Sequence, residues 1–223
     1  SNGKFVPNIV LRLASGGYIG GGLYHSQNIE GALATLPGAR IVCPSFADDA
    51  AGLLRTAMRS RGFTLYLEPK ALYNSVEASS VVPEEFEVPF GKARIRREGT
   101  DLSMITYGNT THFCLNVAER LAQEGWSVEV IDLRSLIPLD KETIYASVKK
   151  TSKALVVHED KVFSGFGAEI AAGIGTELFR YLDAPVQRVG SVFTPVGFHP
   201  ILEKAILPTE DKIYDAARTL LEY

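Results

Sequence analysis

Two trains of short apolar runs, each run followed by a helical or glycine-rich stretch, limit the architectures open to this chain. In the first train, Asn8 to Ala14 reads as a strand through Ile9, Val10, Leu11 and Leu13. A loop holding Gly16, Gly17, Gly20, Gly21 and Gly22 follows, then a short apolar segment from Ile29 to Leu36 and a turn at Pro37-Gly38. Ile41 to Cys43 is a second strand. Ser45 starts a helix, with Asp48 placed to reach back to its first turn, and Ala50, Leu53, Leu54, Ala57 and Met58 recur at helical spacing. Gly62 ends that helix and Phe63 to Leu67 is a third strand.

The second train begins after residues 71–91, where Pro83, Pro89, paired serines and several glutamates break any helical period and predict a linker. Leu102 to Tyr107 reads as a strand, and Phe113, Val117 and Leu121 mark a helix closed by Gly125. Val128 to Leu133 is a strand, and Asp140 caps a helix carrying Ile144 and Val148. Ala154 to His158 is a strand, and Gly165-Phe166-Gly167 opens a helix with Ile170, Ala171, Ile174 and Leu178. Val186 to Val189 is the last strand, and Thr209 caps a final helix with Ile213, Ala217 and Leu220. Strands alternating with helices require crossover connections and a mostly parallel sheet. The expectation is two α/β sheets joined by a linker.

Composition narrows the function classes. With 223 residues, 46% hydrophobic, the chain has the apolar content to bury a core. A net charge of -3 without basic runs gives no footprint for nucleic acid. The apolar stretches are too short to span a membrane. Cys43 and Cys114, each among apolar neighbours, read as buried free thiols and point to a reducing, cytoplasmic setting. Ser1-Asn2 reads as the remnant of a removed tag, and the chain as a piece of a longer polypeptide.

Chemistry-bearing motifs are sparse. There is no phosphate-cradling G-x-x-x-x-G-K-S/T loop. Gly165-Phe166-Gly167 lacks the third glycine of a dinucleotide fingerprint and does not directly follow its strand, so a glycine-eased helix start is the better reading. His25, His112, His158 and His199 form no metal-ligand spacing, so no metal is expected. His112 and His199 read as structural loop or helix-start residues. His158, with Glu159 and Asp160, reads as a solvated strand end, a site edge or a metal ligand being the less favoured alternatives. His25 differs, because Gly20-Gly21-Gly22 allows the backbone to pass close to a ligand or partner and presents an imidazole able to move a proton near neutral pH.

Gly20-Gly21-Gly22-Leu23-Tyr24-His25-Ser26-Gln27, Val42-Cys43-Pro44, Gly52-Leu53-Leu54 and Leu67-Glu68-Pro69-Lys70 resemble the β subunit of the thiamine-diphosphate-dependent 2-oxo acid dehydrogenases. So do Val130-Ile131-Asp132-Leu133-Arg134-Ser135-Leu136-Ile137-Pro138-Leu139-Asp140 and His158-Glu159-Asp160 followed by Gly165-Phe166-Gly167-Ala168-Glu169-Ile170. The blocks occur in order along nearly the whole chain. The resemblance implies part of a pyrimidine-binding α/β domain over residues 1–72, a linker over 73–90, and a transketolase C-terminal-type α/β domain over 91–223.

It also implies a catalytic role for His25. In the family the cofactor lies between an α and a β subunit, carbon dioxide leaves a 2-oxo acid, and the acyl group passes to lipoyl, whose departing sulfur needs a proton. Tyr24 and Gln27 would orient His25 or line the channel, with core packing an equal alternative for Tyr24. The glutamate that activates the cofactor belongs to a segment with no counterpart in this sequence, so no cofactor contact is expected in this chain and magnesium would sit on the α side. The isolated chain is expected to bind no cofactor. Expected partners are an α subunit or a fused α region, a second β subunit, and the subunit-binding domain of the lipoyl acyltransferase. Ser60 between Arg59 and Arg61 replaces a carboxylate of the mitochondrial potassium loop, so no potassium is expected there. The Tyr24-His25-Ser26-Gln27 form resembles branched-chain enzymes more than pyruvate enzymes. A transketolase-like synthase and a non-catalytic interaction fragment are the competing readings.

Overall fold

The computed structural model describes residues 2 and 4–223; Ser1 of the Ser-Asn lead lies outside them. The first unit runs β1 (Asn8–Ser15), α1 (Gly22–His25), α2 (Glu30–Leu33), β2 (Ala39–Val42), α3 (Ala47–Arg59) and β3 (Gly62–Pro69). The second runs β4 (Arg94–Arg97), β5 (Leu102–Thr106), α4 (Thr110–Ala122), β6 (Val128–Asp132), β7 (Ser135–Ile137), α5 (Lys141–Thr151), β8 (Ala154–Lys161), α6 (Gly167–Glu177), β9 (Gln187–Ser191), α7 (Pro200–Ile206) and α8 (Glu210–Leu221).

The strands form two sheets, ordered β1-β3-β2-β7 and β4-β6-β5-β8-β9. β1, β3 and β2 are parallel, as are β6, β5, β8 and β9. β7 and β4 are antiparallel edges, an arrangement frequent in doubly wound sheets. The protein is α/β with mostly parallel sheets. β7 follows β6 directly in the chain yet completes the first unit's sheet, pairing Ile137 with Ile41 and Ser135 with Val42.

One buried layer joins the sheets. Ile41, Leu65 and Leu67 of the first pack with Ile105, Ile131, Leu136, Val156, Ile170 and Ile174 of the second unit. A second layer seats α4 and α8 on the far face of β5, β6 and β8 through Leu102, Met104, Val117, Leu121, Val157, Ile213 and Leu220. Val88, in the irregular stretch after residue 72, is buried with Leu53, Val42 and Tyr66.

Polar contacts also cross the boundary. Asp49 of α3 is fully buried and paired with Arg134 at 2.7 Å and with Arg96. Arg96 also binds Asp132 at 2.7 Å and lies over the Phe46 ring. The Asp132 to Asp140 block thereby ties the two units together, and its Asp140 caps α5 by accepting from Thr143, as expected. Thr209 caps α8 in the same way.

The expected cap of α3 is corrected. Ser45 turns its hydroxyl to Asp132 and Thr111, and Asp48 pairs with Ser80 and Arg94. Phe46 stands at the cap position without a side-chain bond. Interactions with the second unit outcompete the local capping box. Among the described residues no helix is long and apolar enough to cross a membrane.

Candidate functional site

β1 delivers the chain into a loop that the glycines bend. Gly16, Gly20 and Gly22 hold φ of +86°, +65° and +59°, in the region that favours glycine. The loop closes on itself where the Gly16 N–H donates to the Gln27 carbonyl at 3.2 Å and Gly21 N–H to the Ser26 hydroxyl at 3.1 Å. α1 is the single turn at its tip. It ends on His25, which is exposed.

Tyr24 is 89% exposed, which removes core packing as its role. Gln27 turns inward, its Oε1 accepting from Lys161 Nζ at 3.1 Å. The loop is tied to the second unit elsewhere as well. Tyr18 donates to the Pro208 carbonyl at 2.9 Å and stacks edge-on against Phe113, and Gly20 N–H donates to Glu203 at 3.2 Å.

The end of β8 contributes most of these ties. His158, Glu159 and Asp160 are buried, at 0%, 5% and 5% exposure, so the expected solvated strand end is overturned. Glu159 accepts the Gly17 N–H, Asp160 accepts the Gly31 N–H at 3.1 Å, and Lys161 reaches Gln27. Beside them lies Glu30, 1% exposed, which accepts from the Tyr107 hydroxyl at 3.0 Å and from Asn28 at 3.3 Å. The loop folds over the strand end and shields it from water, which a reading of the strand alone does not reveal.

Burial governs the electrostatics. It pushes the Glu30 carboxyl up to about 7, with the nearby Asp160 charge adding to the effect. It pushes Glu159 up to about 7 as well, against the Gly17 hydrogen bond, and it raises Asp160. His158 is driven down to about 4 by burial and by Arg188, which keeps its ring neutral. Among the described residues neither of its ring nitrogens has a hydrogen-bond partner, and Gly165, Gly167 and Gly190 crowd the ring. His112 is a buried helix-start residue whose Nε2 meets the Ser45 carbonyl at 2.8 Å, and His199 caps α7. Both fit the structural reading. Ser60 ties its hydroxyl to the Thr56 carbonyl at 2.6 Å.

Two larger cavities lie away from His25. One, of about 510 Å³, is lined by Ala34, Leu136, Ile144, Tyr145, Phe166 and Ile170. The other, of about 430 Å³, is lined by Phe46, Leu54, Tyr66, Glu68, Leu72 and Tyr73. His25, Tyr24 and Gln27 line neither. Among the described residues, no group of three or more His, Cys, Asp or Glu side chains is placed to hold a metal.

Residues 2–76 match the transketolase pyrimidine binding domain and residues 91–213 the transketolase C-terminal domain. The chain is 40% identical to the 2-oxoisovalerate dehydrogenase subunit beta of Bacillus subtilis, over 100% of this chain and 68% of that protein. The chain belongs to the β-subunit family of the thiamine-diphosphate-dependent 2-oxo acid dehydrogenases.

Relatives in this β-subunit family carry more than one name. The pyruvate dehydrogenase E1 component subunit beta of Bacillus subtilis is 39% identical over 100% of this chain and 68% of its own length. The mitochondrial pyruvate dehydrogenase E1 component subunit beta-1 of Arabidopsis thaliana is 40% identical over 98% of this chain and 61% of its own. The chain thus spans about two thirds of the length of these relatives. A solved split-gene transketolase, described as an inactive β4 tetramer, superposes with a TM-score of 0.75 at 22% identity, covering 96% of this chain and 66% of that one, a likeness of fold.

Of the residues picked from sequence, His25 and Tyr24 share one exposed turn, while Gln27 faces Lys161. Sequence reasoning missed the parts played by Glu30, Glu159 and Asp160. The available signal was the pair of glycines, Gly16 and Gly31, that flank the loop.

Proposed function

We propose that this chain is the β-subunit part of an enzyme that decarboxylates a 2-oxo acid and hands the acyl group to a lipoyl group, with His25 as the proton donor in the transfer. The observation that carries this is an exposed imidazole at the tip of a glycine-built loop that is otherwise tied down. Bound thiamine diphosphate would supply the electron sink for decarboxylation. Its walls, its activating glutamate and its magnesium would come from an α subunit and from sequence beyond this chain. We assign none of its contacts to residues here.

In this reading His25 gives a proton to the sulfur released as the dithiolane opens, Tyr24 borders the approach, and Gln27 orients the His25 turn from within through Lys161. Branched-chain 2-oxo acids are the favoured substrates because of the Tyr24-His25-Ser26-Gln27 form. Pyruvate is a second reading, since the pyruvate dehydrogenase relatives are equally similar. Partners would be an α subunit, a second β subunit and the lipoyl acyltransferase. Exposed apolar side chains at Phe163, Phe193, Phe198, Ile201 and Leu202, the first two with rings 4.6 Å apart, support such contacts. A cytoplasmic setting is supported by two buried free thiols.

The test is the β subunit assembled with its α subunit and assayed on a series of 2-oxo acids. His25→Ala should abolish most acyl transfer to lipoamide while leaving the thermal midpoint unchanged, because the side chain is exposed. An equal loss of stability and activity would make His25 structural. The chain by itself should show no heat of binding on titration with thiamine diphosphate and magnesium; micromolar binding would overturn the division of roles between the subunits.

A further inference from the structure

We propose that Glu159 is a positioning residue for acyl transfer, acting with Asp160 to hold the His25 loop at both ends. The proposal rests on the role given to His25 above and assigns that role its support.

The loop leaves β1 at Gly16 and rejoins regular structure in α2 at Gly31. Each of those glycines faces a carboxylate. A Cβ on Gly16 would stand 2.7 Å from Glu159 Oε1, and a Cβ on Gly31 would stand 2.8 Å from Asp160 Oδ2. Only residues without side chains at these two points let two neighbouring acids reach the backbone. Glu159 then takes the Gly17 N–H and Asp160 the Gly31 N–H.

Successive residues of a regular strand point to opposite faces. Here the pairing of β8 with β9 shifts register between Val157 and Lys161, an irregularity of the kind that re-aims side chains. Three consecutive residues, Glu159, Asp160 and Lys161, are thereby spent on Gly17, Gly31 and Gln27 of one loop. β8 is an interior strand of the second sheet, flanked by β5 and β9 and buried almost throughout, so the loop hangs from a strand paired on both sides.

Stability does not explain the arrangement. Buried carboxylates lose their hydration, and apolar residues of similar size usually serve a core at least as well. Glu159, Asp160 and Glu30 cluster, with Lys70 near Glu159 and Lys161 near Asp160 as cations. What an apolar residue cannot do is accept a backbone N–H and fix the height and tilt of the turn carrying His25. Functional side chains held by such supporting bonds act at productive geometry, and small displacements are expensive in rate.

The test uses the complete β subunit assembled with its α subunit, and two readouts. One is decarboxylation coupled to an artificial dye, and the other is acyl transfer to lipoamide. Glu159→Ala should lower the kcat of acyl transfer by more than about tenfold. It should leave the KM for the 2-oxo acid and the dye-linked rate within about twofold, since the cofactor's own walls lie elsewhere. Glu159→Gln should recover most of the loss, because the amide oxygen still accepts the Gly17 N–H. If Glu159→Ala does not assemble, Glu159→Asp, which keeps the charge and shortens the reach, should give the same split.

Equal loss in both readouts, no loss, or failure of glutamine to restore transfer would overturn the clamp. His25→Ala run alongside separates the two ideas. If it leaves acyl transfer intact, the functional reading itself falls. If it removes transfer while Glu159→Ala and Glu159→Asp do not, only the positioning role falls.

Discussion

Asp160 and Gly31 meet across the boundary between the two units, with the Gly31 nitrogen 3.1 Å from Asp160 Oδ2 and no room for a side chain between them. A Cβ at position 31 would also stand 2.9 Å from the Ser164 carbonyl, which is backbone and cannot swing aside. Gly31→Ala should therefore destabilise the protein by about 1–3 kcal/mol and loosen the loop. Urea unfolding and hydrogen exchange over residues 16–31 would measure both. An unchanged midpoint would show that the contact is loose in solution.

Glu159 makes stability depend on pH in a definite direction. Its folded pKa of about 7 lies above its ordinary value of 4.5, so the folded state holds the proton more tightly than the unfolded state. The contribution is fully present below pH 4.5 and is lost as pH rises through 7, on the order of 3 kcal/mol in all. Glu30, Glu203 and Lys70 are the charged groups that face it. Glu159→Gln should gain stability relative to the native chain between pH 5 and pH 8. Thermal midpoints that run parallel for the two proteins would refute this.

His158 acts with the opposite sign. Its folded pKa of about 4 lies below 6.5, so its contribution is present above pH 6.5 and is lost as pH falls toward 4. His158→Gln, which cannot take up a proton, should lose less stability than the native chain between pH 7 and pH 5, by on the order of 2 kcal/mol. Denaturant midpoints at the two pH values decide the matter.

Arg134 carries a buried charge pair across the units. It is bonded to Asp49 and to the carbonyls of Lys92 and Ala93. Arg134→Met leaves Asp49 with Arg96 and the longer 3.9 Å pair to Arg94, and should cost about 3–5 kcal/mol in urea unfolding. Replacing Asp49 by Leu in the same chain should restore part of the loss, because a buried carboxylate short of one partner disappears.

Much of the fold is legible in the sequence where an element carries its own pattern. β5, β6, α4, the Asp140 cap and the Thr209 cap fall within a few residues of their expected places. The elements that were not legible are those specified by a partner. β4 is Arg94 to Arg97, with one apolar residue in four, and it exists because β6 offers a ladder. β7 is only three residues long, and α7 begins at Pro200 with no buried residue to mark a face. The candidate site divides in the same way. His25 is visible because glycines announce a bend. The clamp is invisible because Glu159 and Asp160 look like ordinary polar residues at a strand end, and their burial depends on a loop more than 120 positions away in the chain.

β7 has a practical corollary for anyone who cuts or recombines this chain. The natural place to divide it by composition is residues 73–90, yet the strand that seals the first sheet is made from residues well downstream. An amino-terminal half expressed alone would end at β2 with a bare ladder of backbone donors and acceptors, inviting self-association. A chain nicked in that stretch, by contrast, should stay together as a single particle, because parting the halves would break the Ile41–Ile137 pairing and strip the shared layer around Leu136. Chimeras built between members of the family should therefore carry residues 133–138 with the first unit and not with the second.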